Sequence, residues 1–215
     1  MGCGYFSVAG LDEGKHSGPA QRLEPSQAEI LAAVLSRAFY DDPRFRYGIP
    51  DEQARVRLLP GLFRSFIRAS QLNGEIYTTR EIDGGVVWTG PGNALSLGHM
   101  MRGEWLNLSR CIDLGVRLDE VHQQLVREPH RYLLLLGVEP SKQSWKVTAT
   151  LIEPLLARAD SDGLPCYLET FNERDLPIYK RHGFRIAGGG KISTGGPDFW
   201  AMIRTPGSAT RTSFN

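Results

Sequence analysis

The seven residues Tyr132-Leu-Leu-Leu-Leu-Gly-Val138 form an unbroken apolar run closed by Glu139-Pro140-Ser141, and this run constrains the fold more than any other stretch. A strand with one wet face shows polar residues at alternate positions. A strand with none must be covered on both sides, which predicts the central strand of a sheet flanked by helices. A turn through Gln143 follows, and then Val147, Leu151, Leu155 and Leu156 share one helical face until Asp160-Ser-Asp-Gly163 stops the pattern. Pro154 lies inside that helix and is expected to be tolerated as a kink. Residues 165–170 read as the next strand.

Upstream, Ser26-Gln-Ala-Glu29 has capping-box spacing, and Ile30, Leu31, Val34, Leu35, Ala38 and Phe39 recur at helical intervals, so a first helix is expected to end before Asp41-Asp42-Pro43. A second helix is expected from Asp51, with Val56, Leu59, Leu62, Phe63, Phe66 and Ile67 on one face and a bend or split at Pro60-Gly61. Residues 76–79 and 86–89 flank Glu81-Ile-Asp-Gly-Gly85 and read as a hairpin. Between 91 and 129, the stretches 95–102, 105–116 and 118–127 carry helix-like patterns. Gly188-Gly189-Gly190 is expected to make a bulge or turn. With 215 residues and 41% hydrophobic content, the chain suits one domain over residues 22–205, with loose tails at 1–21 and 206–215.

Charge and spacing exclude several classes. Lys plus Arg number 25 against 24 Asp plus Glu, which leaves no basic footprint for nucleic acid or an anionic membrane. No apolar run approaches the roughly 18 residues that span a bilayer. Met1-Gly-Cys-Gly-Tyr-Phe-Ser7 departs from the myristoylation pattern, because Phe6 stands where serine or threonine is required. Cys3, Cys111 and Cys166 show no paired spacing, which points to free thiols in a reducing compartment and a cytoplasmic protein. The five histidines have no ligand spacing, so no metal is expected. Nucleophile-elbow, P-loop and dinucleotide glycine motifs are missing from the sequence.

The unit from Tyr132 through Gln143 into the helix, with Asn172-Glu-Arg-Asp-Leu-Pro-Ile-Tyr-Lys-Arg-His-Gly-Phe184 downstream, resembles the cofactor half of a GNAT-superfamily N-acetyltransferase. The resemblance covers residues 22–205 and is most specific over 130–184. It implies an α/β fold whose mixed, mostly antiparallel sheet of about six or seven strands splays at a cofactor cleft between flanking helices. It further implies acetyl-CoA as cosubstrate and a small-molecule amine as acceptor, attacked directly, in a monomer or homodimer. Leu136, Gly137 and Val138 would line the cofactor arm. Gln143, Ser144, Trp145, Lys146, Val147 and Thr148 would form the pyrophosphate turn, where first-turn amides and the helix dipole favour an anion.

That turn departs from the family pattern, a Gln/Arg-x-x-Gly-x-Gly/Ala loop: Gln143 matches, but Lys146 and Thr148 replace the two glycines. If those positions need positive φ, each replacement costs about 1–2 kcal/mol; if they are helical, the amides survive and only space is lost. The competing function is a non-catalytic GNAT-like scaffold that binds acyl-CoA weakly or not at all. Trp145 is expected to be a partly buried anchor of the turn. By resemblance, Tyr179 is the acid that protonates the departing thiolate, and Asn172 contacts the cofactor arm or caps a helix. Glu169, on a strand facing the cleft, is the first candidate for the general base; His130 and Glu139, at opposite ends of the central strand, are second candidates.

Overall fold

The computed structural model describes residues 18–91 and 109–208. The stretch 95–102, residues 105–108, the N-terminal motif around Gly2 and Cys3, and the tail beyond 208 lie outside the described residues.

Among the described residues seven strands form one sheet: β1 (Gln21–Arg22), β2 (Gly74–Thr78), β3 (Gly84–Thr89), β4 (Arg131–Val138), β5 (Cys166–Thr170), β6 (Arg185–Lys191) and β7 (Asp198–Arg204), in the order β1-β2-β3-β4-β5-β7-β6. Every neighbouring pair is antiparallel except β4 and β5. The helices are α1 (Ala28–Ala38), α2 (Pro43–Gly48), α3 (Glu52–Asn73), α4 (Ser109–Leu125), α5 (Trp145–Ser161) and α6 (Leu176–Arg181).

As the apolar run demands, β4 is covered on both faces. Tyr132 and Leu134 pack with Leu35 of α1, Phe63 of α3 and Leu118 of α4. Leu133 packs on the other side with Leu151 and Leu155 of α5. The same alternation puts Val87 on the first face and Val86 and Trp88 on the second.

Several expectations need correction. Asp42 caps a short helix, α2, by accepting from the Arg44 amide at 2.8 Å, with Pro43 at the first helical position. The Asp-Asp-Pro stretch thus starts a helix as well as ending one. α3 runs unbroken through Pro60, with Asp51 as its cap. Val56 and Ile30 are 63% and 53% exposed, so the buried faces of α3 and α1 are narrower than their apolar periodicity suggests. The described part of the 105–116 pattern continues into the 118–127 pattern as one helix, α4. The triple glycine belongs to β6, paired with Phe199, Trp200 and Ala201, and the expected irregularity falls between Ile186 and Gly188.

One ion pair fastens α5 to β7. Arg204, 1% exposed, places Nη1 and Nη2 at 2.6 Å from the two Asp160 carboxylate oxygens, and the Gly207 amide adds a bond to the same carboxylate at 2.8 Å. Asp160→Ala leaves a buried guanidinium without its carboxylate and is expected to lose about 3 kcal/mol in urea unfolding at pH 7. The bonds from Arg204 hold the Asp160 carboxyl below the usual range. Its contribution is therefore full above the unfolded pKa near 4 and is lost as pH falls through the lower folded value. The gap between wild type and variant should close in acid.

Candidate active site

β4 and β5 pair only through Arg131, Tyr132 and Leu133, matched with Cys166, Tyr167 and Leu168. Beyond that point the strands diverge. The cause is local: β3 partners shift from Leu135 at Val87 to Leu133 at Trp88, so Leu134 is an extra residue that bends β4 away from its parallel neighbour. Leu136 to Val138 keep β3 on one side and present their other edge to a cleft of about 1170 Å³.

Leu136, Gly137, Val138, Gln143, Thr148, Asn172 and Tyr179 line this cleft on one wall. α1, α2 and the start of α3 supply the other wall through Arg37, Tyr40, Arg46, Arg55 and Leu59. α1 packs tightly on Gly137: a Cβ there would lie 2.8 Å from Leu35 and 2.9 Å from Phe39.

The turn settles the question that Lys146 and Thr148 raised. Among the described residues only Ile82 is a non-glycine with positive φ, so both lie in ordinary helical conformation inside α5. Ser144 is the N-cap, and its hydroxyl accepts from the Val147 amide at 3.3 Å. The amides of Trp145 and Lys146 precede the first intrahelical bond, which is donated by Thr148 to the Ser144 carbonyl at 3.2 Å. Gln143 folds back and donates to the Val138 carbonyl at 3.3 Å. Trp145 is 53% exposed and Lys146 is exposed beside it, and neither side chain lines the cleft.

Tyr179 is 8% exposed, packs edge-on against Phe184 at 6.0 Å, and faces the cleft. Burial, reinforced by the nearby Asp175 charge, holds its phenol above the ordinary tyrosine range, so it is a protonated donor at neutral pH. Asn172 caps the turn before α6 by accepting from the Arg174 amide at 3.2 Å.

Glu169 lies on the α1–α4 side of the sheet, where Tyr132 donates its hydroxyl to Oε2 at 2.7 Å. Oε1 is buried and has no hydrogen-bond partner. Burial raises its pKa to about 7, against the opposing effects of the Tyr132 and Tyr167 hydroxyls and the Arg44 charge. It opens onto a narrow gap of about 30 Å³ between the splayed strands, shared with Arg44, Asp42, Asp175 and Tyr179. Asp42, Asp175 and Tyr179 also line the main cleft, so the gap adjoins its floor.

His130 and Glu139 do not join this group. β4 puts His130 just before its entry, roughly 26 Å of extended chain from Val138. There its Nδ1 meets the Glu128 carbonyl at 2.7 Å and its Nε2 meets Nε2 of His122 at 2.6 Å. Burial and the His130 charge lower His122 to about 4. Glu139 is engaged by Arg37, which reaches its carboxylate at 2.7–3.0 Å across the cleft mouth.

Two groups escaped the sequence analysis. Arg44 is caged by Phe39, Phe45 and Phe171, with ring centres at 5.4, 4.8 and 5.4 Å, and lies beside Asp42. Asp175 accepts from the Thr170 hydroxyl at 3.2 Å, and burial, with the Asp42 charge, raises it to about 6. The available signal was the position of Asp175 within the Asn172–Tyr179 motif and the capping role of Asp42. Among the described residues, no group of three His, Cys, Asp or Glu could hold a metal ion, and no helix is long and apolar enough to cross a membrane.

Comparison with known proteins gives the same architecture. No family model matches the chain. An uncharacterized N-acetyltransferase of Schizosaccharomyces pombe is 29% identical over 181 residues, spanning 77% of this chain and 73% of its own. The crystal structure of a Corynebacterium glutamicum protein described as histone acetyltransferase HPA2 and related acetyltransferase matches with a TM-score of 0.65 and 24% identity, over 92% of this chain and 99% of its own. The PaiA N-acetyltransferase of Thermoplasma acidophilum, solved with coenzyme A, matches with a TM-score of 0.51 and 14% identity, over 86% and 97%. A mostly antiparallel sheet whose one parallel pair opens onto a cleft, together with these likenesses, shows that the chain has the fold of the GNAT acetyltransferases.

Proposed function

We propose that the protein transfers an acetyl group from acetyl-CoA to an amine, more readily a small molecule than a protein, by direct attack. The observation that carries this is the splayed β4 edge, which runs into the N-terminus of a helix whose backbone needs no glycine. The free edge from Leu136 to Val138 suits the amide-bearing arm of coenzyme A, and the Trp145 and Lys146 amides suit its pyrophosphate, with the Lys142 and Lys146 charges nearby. A phosphate there would compete with Ser144 for the Val147 amide.

The acceptor's ammonium must lose a proton before it attacks the thioester. In this reading, Glu169 takes that proton through one water in the narrow gap, which is large enough to hold it. The C–N bond forms, the C–S bond breaks, the Tyr179 hydroxyl donates its proton to the departing sulfur, and the second proton shed by the new amide nitrogen restores the phenol. Both groups are in the required state near pH 7, Glu169 because it titrates at about 7 and Tyr179 because burial keeps it protonated.

Release of free thiol from acetyl-CoA in the presence of a panel of amines tests the activity. Acceptor-dependent release is expected, and Lys146→Glu should raise the KM for acetyl-CoA by about tenfold with kcat little changed. Binding of coenzyme A without release for any amine would favour the scaffold alternative.

A further inference from the structure

Among the described residues three arginines are almost fully buried, and two of them have carboxylate partners. Arg131 is bound to Glu75 and Asp162, and Arg204 to Asp160. Arg55 differs. It is 2% exposed, yet no ion pair among the described residues includes it. Its Nη1 donates to the carbonyls of Ile49 at 2.8 Å and Pro50 at 3.2 Å, and its guanidinium lies over the Tyr40 ring at 4.7 Å. Nε is buried without a partner. Two carbonyls and a ring face offset part of the cost of removing this charge from water, and a counter-anion would offset the rest.

The place for that anion is the cleft, because Arg55 and Tyr40 are both part of its wall. This wall is built by α1 and α3, across from the β4 edge and the α5 N-terminus that would hold the donor. The same cleft also carries carboxylates, Asp42 and Asp175, suited to a cation. A zwitterion satisfies both ends.

We propose that Arg55 binds a carboxylate of the acceptor, so that the acceptor is an amino acid or a close amino-carboxylate rather than a simple amine. The proposal rests on the acetyltransferase reading for the identity of the two walls. A guanidinium offers two parallel donors to a carboxylate, and a site built that way discriminates strongly against an analogue without it.

The test uses matched pairs: phenylalanine and phenethylamine, histidine and histamine, lysine and cadaverine. Wild type, Arg55→Lys and Arg55→Met are titrated with coenzyme A and then, with coenzyme A present, with each compound; transfer from acetyl-CoA is followed in parallel. Wild type is expected to favour the acid of at least one pair by about tenfold or more. Arg55→Met should abolish that preference through KM, with kcat kept within a fewfold, while Arg55→Lys retains part of it and coenzyme A binds all three proteins alike.

No preference for any acid, including failure of both series to bind, overturns the proposal, as does a preference that survives Arg55→Met. Weaker coenzyme A binding by Arg55→Met would place the guanidinium on the donor's phosphates instead and also overturn it. A melting temperature lowered in Arg55→Met with the preference intact would make Arg55 a cap for α2 alone. Failure of wild type to bind coenzyme A would remove the acetyltransferase reading separately, and the acid and amine titrations without cofactor still read Arg55.

Discussion

Glu169→Gln is expected to lower kcat/KM for amine acetylation by about 10²- to 10³-fold at pH 7.5, the usual range for loss of a positioned base. Glutamine keeps the size of the side chain and still accepts the Tyr132 hydroxyl, but it cannot take a proton. The pH profile carries the stronger evidence. With Glu169 raised to about 7, wild-type activity should climb through pH 7 and level off above it, because the ionised form is the active one. The variant should lack that limb.

Folding gives an independent check on the same residue. A carboxyl whose folded pKa lies above its unfolded value, near 4.3, favours the fold most below the unfolded pKa, and this contribution is lost as pH rises through about 7. Glu169→Gln should therefore melt no lower than wild type at pH 8. An unchanged rate would move the base elsewhere; Asp175, raised to about 6 and facing the cleft, is the group to replace next.

Tyr179→Phe is expected to reduce kcat by about 10²-fold, with KM for acetyl-CoA within a fewfold of wild type. Phenylalanine keeps the edge-on contact with Phe184 and the packing against Leu168 and Leu176, so the melting temperature should barely move. The two effects together separate proton donation from packing. A rate equal to wild type would take Tyr179 out of the chemistry, and a large fall in melting temperature would make the lost activity uninformative.

The parts of this fold legible in the sequence are those whose cause is local. β4 could be read because burial on both faces removes the polar alternation, and α5 because the apolar face of Val147, Leu151, Leu155 and Leu156 runs into the stop signal at Asp160 to Gly163. The Asn172 and Tyr179 positions could be read because their motif holds cap, helix and turn within thirteen residues. Ile30 and Val56 misled because helical spacing marks an apolar position whether or not a neighbour covers it.

What stayed hidden depends on partners far away in the chain. The splay of β4 comes from one extra residue, Leu134, against β3, and nothing in the run of four leucines marks it. Whether Glu169 faced inward depended on the register that brings Tyr132 opposite Tyr167. No local pattern in the sequence marks Arg44 as enclosed. Only the return of Phe171 beside Phe39 and Phe45 encloses it. Lys146 and Thr148 looked like defects because the family pattern has glycine there, whereas the helical backbone makes glycine unnecessary for the amides and leaves the question to space alone.

The central claim is therefore that backbone amides at the start of α5, with the open edge of β4, hold coenzyme A without glycine. Calorimetric titration of the protein with coenzyme A measures this directly. Binding in the micromolar range, weakened about tenfold by Lys146→Glu, is the predicted result. Absence of heat and of thermal stabilisation at millimolar coenzyme A would contradict it.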